Sequence, residues 1–278
     1  MRGTRASGRV GALTTVREYA AATHFGPTVA VTAFTAVLAL ASGGGTRTLL
    51  LAVAVLAGQL SIGWSNDHLD AGIDRAAGRR DKAVVRGTVT ERGLLVAAVV
   101  AATASVPLSL ATGLLAGAAA IGTTACGWAY NLGLKRTVAS PLPYAVAFAL
   151  TPPVFVALAL HQHPQPQVVL AGGLLGLCAH FTNAVKDLDA DALTGVRGLP
   201  QRLGPRRSGA VSAALLLVAA LVLLLPGSSP RPLSLVLAAG AAVLAGAYAV
   251  LIGTGRQQHG FTLNLAAVAL LVAAVVLR

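Results

Sequence analysis

Six of the chain's nine acidic residues fall in two short stretches. The first is Asn66-Asp67-His68-Leu69-Asp70-Ala71-Gly72-Ile73-Asp74, and the second is Asn183-Ala184-Val185-Lys186-Asp187-Leu188-Asp189-Ala190-Asp191. On a helix Asp67, Asp70 and Asp74, at i, i+3 and i+7, share one face. Asn183, Asp187 and Asp191 step by four and share a face too, while Asp189 turns away by about 200° from Asp187. Grouped carboxylate oxygens suit Mg²⁺, which keeps several waters and favours phosphate oxygens as further ligands. Basic residues follow each cluster, notably Lys82 and Arg86 after the first, and they suit the remainder of a polyphosphate anion. The chemistry expected is therefore a Mg²⁺-diphosphate held between two acidic helix ends. Asp67, Asp70, Asp74, Asp187 and Asp191 would be the metal ligands.

Both clusters begin where an apolar run ends. The 278 residues are 55% hydrophobic and 11% charged, with a mean hydropathy of +0.74, so the chain is read as an integral membrane protein. An acid at membrane depth costs about 2.5–3.5 kcal/mol, so several on one face need a cation or water beside them. Solvated helix ends paired with nearby Arg and Lys are the plainer alternative. Their confinement to two span ends in an acid-poor chain favours the metal site. The net charge of +12 does not point to nucleic acid, because the basic residues sit between apolar spans. Cys126 and Cys178 both lie inside apolar runs and are read as packing residues.

Nine apolar segments are long enough to cross a bilayer as helices: 25–42, 49–66, 93–110, 112–130, 141–160, 168–186, 208–226, 233–253 and 261–277. Residues 1–24, with four arginines, form a cytoplasmic arm whose latter half is a surface helix; residues 25–278 form the helical domain. Segment 25–42 is read as a span rather than a cleaved signal, because the topology uses it. Eighteen of the 21 basic residues then fall on one side, which puts the N-terminus and both clusters in the cytoplasm. The expected fold is all-α, nine transmembrane helices around a central cavity. The expected location is a bacterial-type plasma membrane, with the site facing the cytoplasm.

These residues resemble the UbiA-type intramembrane prenyltransferases. Asn66-Asp67-x-x-Asp70-x-x-x-Asp74 is similar to that family's first motif, and Lys186 to Asp191 followed by Gly195-Val196-Arg197-Gly198-Leu199-Pro200 is similar to its second. Tyr130-Asn131-Leu132-Gly133-Leu134-Lys135-Arg136 resembles the family's Tyr-to-Lys segment. The resemblance covers nearly the whole chain. It implies Mg²⁺-dependent transfer of an isoprenyl group from an isoprenyl diphosphate to a small aromatic acceptor within the bilayer. Asp67, Asp70, Asp187, Asp191, Tyr130 and Lys135 would be catalytic. Asn66, Lys82, Arg86, Asn183, Lys186 and Arg136 would bind substrate. The family commonly has Arg-Pro where this chain has Lys82-Ala83, which keeps the charge but loses the planar fork and the rigid turn.

A terpene cyclase of the same type would use the same diphosphate site, and a membrane cation transporter is the non-enzyme alternative. Transporters place acids mid-span on broken helices, whereas these acids lie at span ends. Aromatic residues make up only 4% of the chain, which suits a smooth tunnel for an extended tail better than a cyclase wall. Trp64 and Trp128 are read as interface anchors and His180 as a packing residue. His68 is placed off the acidic face, and His161 and His163 in an outer loop. Gly172-Gly173-x-x-Gly176 is read as permitting close helix contact.

Overall fold

A computed structural model describes residues 15–225, 231–253 and 257–277; the side chains of residues 186, 187, 189–194, 253 and 257–261 lie outside that description. The described chain is helical throughout, in the order Thr15–Ala21 (α1), Phe25–Ala41 (α2), Arg47–Ala76 (α3), Ala83–Arg86 (α4), Glu91–Leu110 (α5) and Leu114–Leu132 (α6). There follow Leu142–Ala149 (α7), Phe155–Ala159 (α8), Pro166–Thr194 (α9), Leu199–Leu224 (α10), Pro232–Gly253 (α11) and Gln257–Val276 (α12). Each of the nine apolar segments falls on a helix of this series, α7 and α8 together making one. By length and composition six of these are candidate membrane spans, or seven if the bent pair α1–α2 counts as one.

Two helices run well past their apolar segments. α3 continues to Ala76 and α9 to Thr194, so both acidic clusters ride on the ends of long helices. Between α7 and α8 the stretch Leu150–Val154 breaks the regular ladder, with Thr151 at φ −122° and ψ 125°. Two consecutive prolines there remove backbone donors. The Thr151 hydroxyl meets that of Thr123 on α6 at 2.9 Å.

Small residues let the helices approach. Ala171, Ala219, Ala241, Ala245, Ala267 and Ala274 are fully buried, as expected where lipid supplies no hydrophobic drive and close packing must hold helices together. Polar side chains add to it. Asn264 of α12 donates to Thr182 of α9 at 2.9 Å, and Thr182 pairs with Ser212 of α10 at 2.8 Å. Cys178, fully buried, joins that group through Ser212 at 3.3 Å.

Gly176 illustrates how tight the packing is. A Cβ there would collide with the carbonyl oxygen of Tyr144 and lie 2.8 Å from the Cβ of Phe148, so α9 and α7 touch at that point. Gly176→Ala is expected to destabilise the protein by about 1–3 kcal/mol by overpacking, read as a lower melting temperature in detergent. Gly246→Ala, with open space around it, should leave the melt unchanged or slightly higher.

The segment 15–24 does not lie apart as a surface arm. α1 meets α2 at 77°, with His24 at the elbow in the left-handed region, φ 54° and ψ 58°. A Cβ on Gly63 would strike the backbone carbonyl of Thr23, so the elbow rests directly on α3. Trp64 donates its indole N–H to the Tyr19 carbonyl at 2.9 Å, and the two rings meet edge to face. Glu18 takes hydrogen bonds from Arg86 and, at 2.9 Å, from Thr88.

Candidate active site

A cavity of about 610 Å³ opens between α2, α3, α6, α7 and α9. One end is charged, lined by Asp70, Asp74, Asp81, Arg79, Lys82 and Lys135. The rest is largely apolar and aromatic, with Val31, Ile62, Pro143, Ala147, Phe148 and Tyr144 on its walls. Such a cavity can hold an anionic head at one end and a hydrocarbon chain beyond it.

Each carboxylate of the first cluster has a basic partner. Lys135 Nζ donates to both oxygens of Asp70, at 2.5 and 2.6 Å, and its side chain is only 7% exposed. Lys82 Nζ donates to Asp67 at 2.6 Å, and the His24 Nε2 lies 3.3 Å from the same oxygen. Arg79 approaches Asp74 at 3.6 Å. The other oxygen of Asp74 is buried and meets no partner. A buried carboxylate oxygen without a donor is costly. Beside Asp70, which also lines the cavity, it is a fitting ligand for a hard cation.

Asp67 differs from its expected place. It shares the edge of α3 with Asp74 two turns away, but Lys82 and the elbow residue His24 cover it. It is 1% exposed and does not line the cavity. Asn66 does line it. Its amide is engaged at both ends, Nδ2 donating to Asn131 at 3.1 Å and Oδ1 meeting His24 at 2.8 Å.

Of the second cluster, Asn183 lines the cavity. Lys186, Asp187, Asp189 and Asp191 lie on α9 by backbone, and their side chains are outside the described residues. Among the described residues no three of His, Cys, Asp and Glu converge as a metal site. Tyr130 lines the cavity and meets Tyr144 edge to face at 5.2 Å and His180 at 5.8 Å. Two basic residues expected at the substrate are placed elsewhere. Arg86 is exposed and donates to Glu18 and to the carbonyls of Arg80 and Asp81. Arg136 is exposed and outside the cavity lining.

His24, Arg79, Asp81 and Tyr144 are lining residues that spacing along the chain did not single out. His180 is buried, with Nε2 3.0 Å from Ser140 Oγ, which in turn accepts from the Leu199 N–H at 3.1 Å. Trp64 and Trp128 both use their indole N–H within the fold, Trp128 donating to Ser61 at 2.7 Å.

Comparison with known proteins adds to this geometry. The model of the UbiA prenyltransferase family matches residues 29–266. The chain is 32% identical over 214 residues to a digeranylgeranylglyceryl phosphate synthase of Natronomonas pharaonis, covering 74% of each chain. Its fold is similar to a structure of digeranylgeranylglyceryl phosphate synthase, with TM-score 0.71 and 18% identity over 94% of this chain and 97% of the other. It is also similar to a UbiA homologue from Archaeoglobus fulgidus bound to GPP and Mg²⁺, with TM-score 0.66 and 18% identity over 91% and 99%. A UbiA homologue from Aeropyrum pernix matches with TM-score 0.67 and 22% identity over 89% and 96%.

Proposed function

This chain belongs to the UbiA prenyltransferase family and is a membrane prenyltransferase, and from that membership we propose that it moves an isoprenyl group from an isoprenyl diphosphate to the hydroxyl of a glyceryl phosphate lipid. The observation that carries this reading is the cavity itself, charged at the Asp70–Asp74 end and apolar beyond it. The acceptor class follows the 32% identical relative, whose product carries two geranylgeranyl groups on a glyceryl phosphate. A small aromatic acceptor is the alternative.

Asp70 and Asp74 would hold Mg²⁺ together with Asp187 and Asp191, in line with the unpartnered oxygen of Asp74 and with the Archaeoglobus homologue's ligands. Bound there, the metal would offset the charge that builds on the leaving diphosphate. The protein's own groups do the rest. Lys135 and Arg79 stand at the same end of the cavity and can turn from their carboxylates to diphosphate oxygens. Asn183 adds an amide. Tyr130 and Tyr144, both on the cavity wall, would steady positive charge on the isoprenyl carbon, and the apolar walls would keep water from it.

The test is to supply C10 to C20 isoprenyl diphosphates with Mg²⁺, with and without a glyceryl phosphate lipid or an aromatic acid, and to identify products by mass spectrometry. Diphosphate release that needs the glyceryl phosphate acceptor supports the reading. Release with the aromatic acid alone would move the acceptor to that class. A cyclic terpene formed from the diphosphate alone would reverse the ranking of transferase over cyclase.

Nine crossings with the N-terminus and the site in the cytoplasm remain our reading of topology, supported by the basic-residue asymmetry. Cysteines placed singly at Arg80 and Arg231, both exposed, in a background lacking Cys126 and Cys178, should differ. Arg231→Cys should react with an impermeant reagent from outside and Arg80→Cys only after lysis. Equal labelling would sink the topology.

A further inference from the structure

The hydrogen bonds around Asn66 fix which ring nitrogen of His24 carries a hydrogen. Asn131 Nδ2 lies 2.9 Å from the carbonyl of Ile62 and 2.9 Å from Ser65 Oγ. A backbone carbonyl only accepts, so the amide nitrogen of Asn131 must face it, and its Oδ1 is left for Asn66. Asn66 meets that oxygen at 3.1 Å and must do so with Nδ2. Its own Oδ1 is therefore the atom that lies 2.8 Å from His24 Nε2. An amide oxygen only accepts, so Nε2 carries a hydrogen. Asp67, 3.3 Å away, is a second acceptor for it. Lys82 Nζ, at 3.5 Å, is a donor and cannot pair with that edge of the ring.

The consequence lies at the other ring nitrogen. In the neutral ring, with its hydrogen on Nε2, Nδ1 keeps a lone pair, and among the described residues it makes no hydrogen bond. The ring is 43% exposed and borders the cavity beside Asp70 and Lys82. Asn66 and Asp67 thus hold one edge of an imidazole and leave the basic nitrogen free, as an orienting carboxylate does for a catalytic histidine.

We infer that His24 is the general base that takes the proton from the acceptor hydroxyl, an assignment that rests on the hydroxyl acceptor proposed above. In that step a lone pair on the hydroxyl oxygen forms the new C–O bond to the isoprenyl C1. The bond from C1 to the diphosphate oxygen breaks, its electron pair leaving with the diphosphate. The hydroxyl proton passes to Nδ1 of His24, and the imidazolium keeps its Nε2–H toward Asn66 and Asp67. Release of the Nδ1 proton to water restores the base. The elbow fits this role because it packs on α3 at Gly63, which holds the imidazole in place against the cluster.

The test uses the full chain in lipid nanodiscs with Mg²⁺, geranylgeranyl diphosphate and geranylgeranylglyceryl phosphate. His24→Gly suits the left-handed backbone and leaves room for added imidazole. His24→Asn also tolerates that backbone and keeps a side-chain donor for Asn66. Both variants should lose transfer by about 10²–10⁴-fold, the range of a general base, with the KM for the isoprenyl diphosphate within about threefold of the parent. Imidazole should restore a measurable part of the His24→Gly rate. The assignment is overturned if His24→Asn keeps the parental rate. It is overturned equally if both variants lose diphosphate binding along with turnover and imidazole restores nothing. A parent protein that ignores the glyceryl phosphate acceptor would overturn the acceptor reading instead, and this base assignment with it.

Discussion

Asp74→Asn is expected to lower the rate of prenyl transfer on the order of 10²–10³-fold, the cost of losing one oriented charge at a reacting centre. The side chain lines the cavity, and one of its oxygens is buried without a partner. Removing its charge therefore breaks little within the protein beyond a 3.6 Å approach from Arg79. The melting temperature should hold or rise while activity collapses. Asp70→Asn should lose activity to a similar extent but also lose stability, because Lys135, 7% exposed, would keep its charge without a carboxylate. Measured together, rate and melt separate the two residues. An Asp74→Asn protein that turns over like the parent would remove the metal site from this end of the cavity.

Lys82→Met is expected to cost about 3–5 kcal/mol, because it leaves Asp67 buried and without its ammonium partner. The pair is nearly dry, with side chains 14% and 2% exposed. The double variant Lys82→Met with Asp67→Leu should recover most of that loss, since replacing both members of a buried pair by apolar groups is often neutral. Lys82→Arg keeps the charge but brings a planar fork where a point charge sits 2.6 Å from one oxygen, and should fall between. A chemical or thermal melt of the parent, Lys82→Met, Asp67→Leu and the double variant closes the cycle. If the double variant is no more stable than Lys82→Met, the pair is not what holds Asp67 in place.

Much of the architecture was legible in the order of residues. Apolar runs of bilayer length marked each helix except the short α1 and α4, because a chain in lipid must satisfy its backbone hydrogen bonds within the segment. The acidic clusters stood out because carboxylates are scarce elsewhere. Of the three aspartates expected on one face of α3, Asp70 and Asp74 line the cavity and Asp67 does not. Gly176 was read as a point of close contact and is one. Lys135 was expected at the site from its resemblance to a known segment, and it reaches Asp70 across 65 positions of sequence.

What spacing left open is which groups cover which. Asp67 and Asp74 share a helix edge, yet Lys82 and His24 close over the first, while the second meets only the 3.6 Å approach of Arg79 and lines the cavity. Arg86 carries the charge expected of a phosphate ligand and instead holds α1 through Glu18. His24 precedes an apolar run with nothing in its neighbours to mark it. It joins the site only because α1 turns through 77° and the elbow rests on Gly63. Helix position, membrane depth and the inventory of charges depend on residue type and local periodicity, and those are written along the chain. The pairing of Lys135 with Asp70 and of Arg86 with Glu18 joins residues 65 and 68 positions apart, and the packing of the helices decides it.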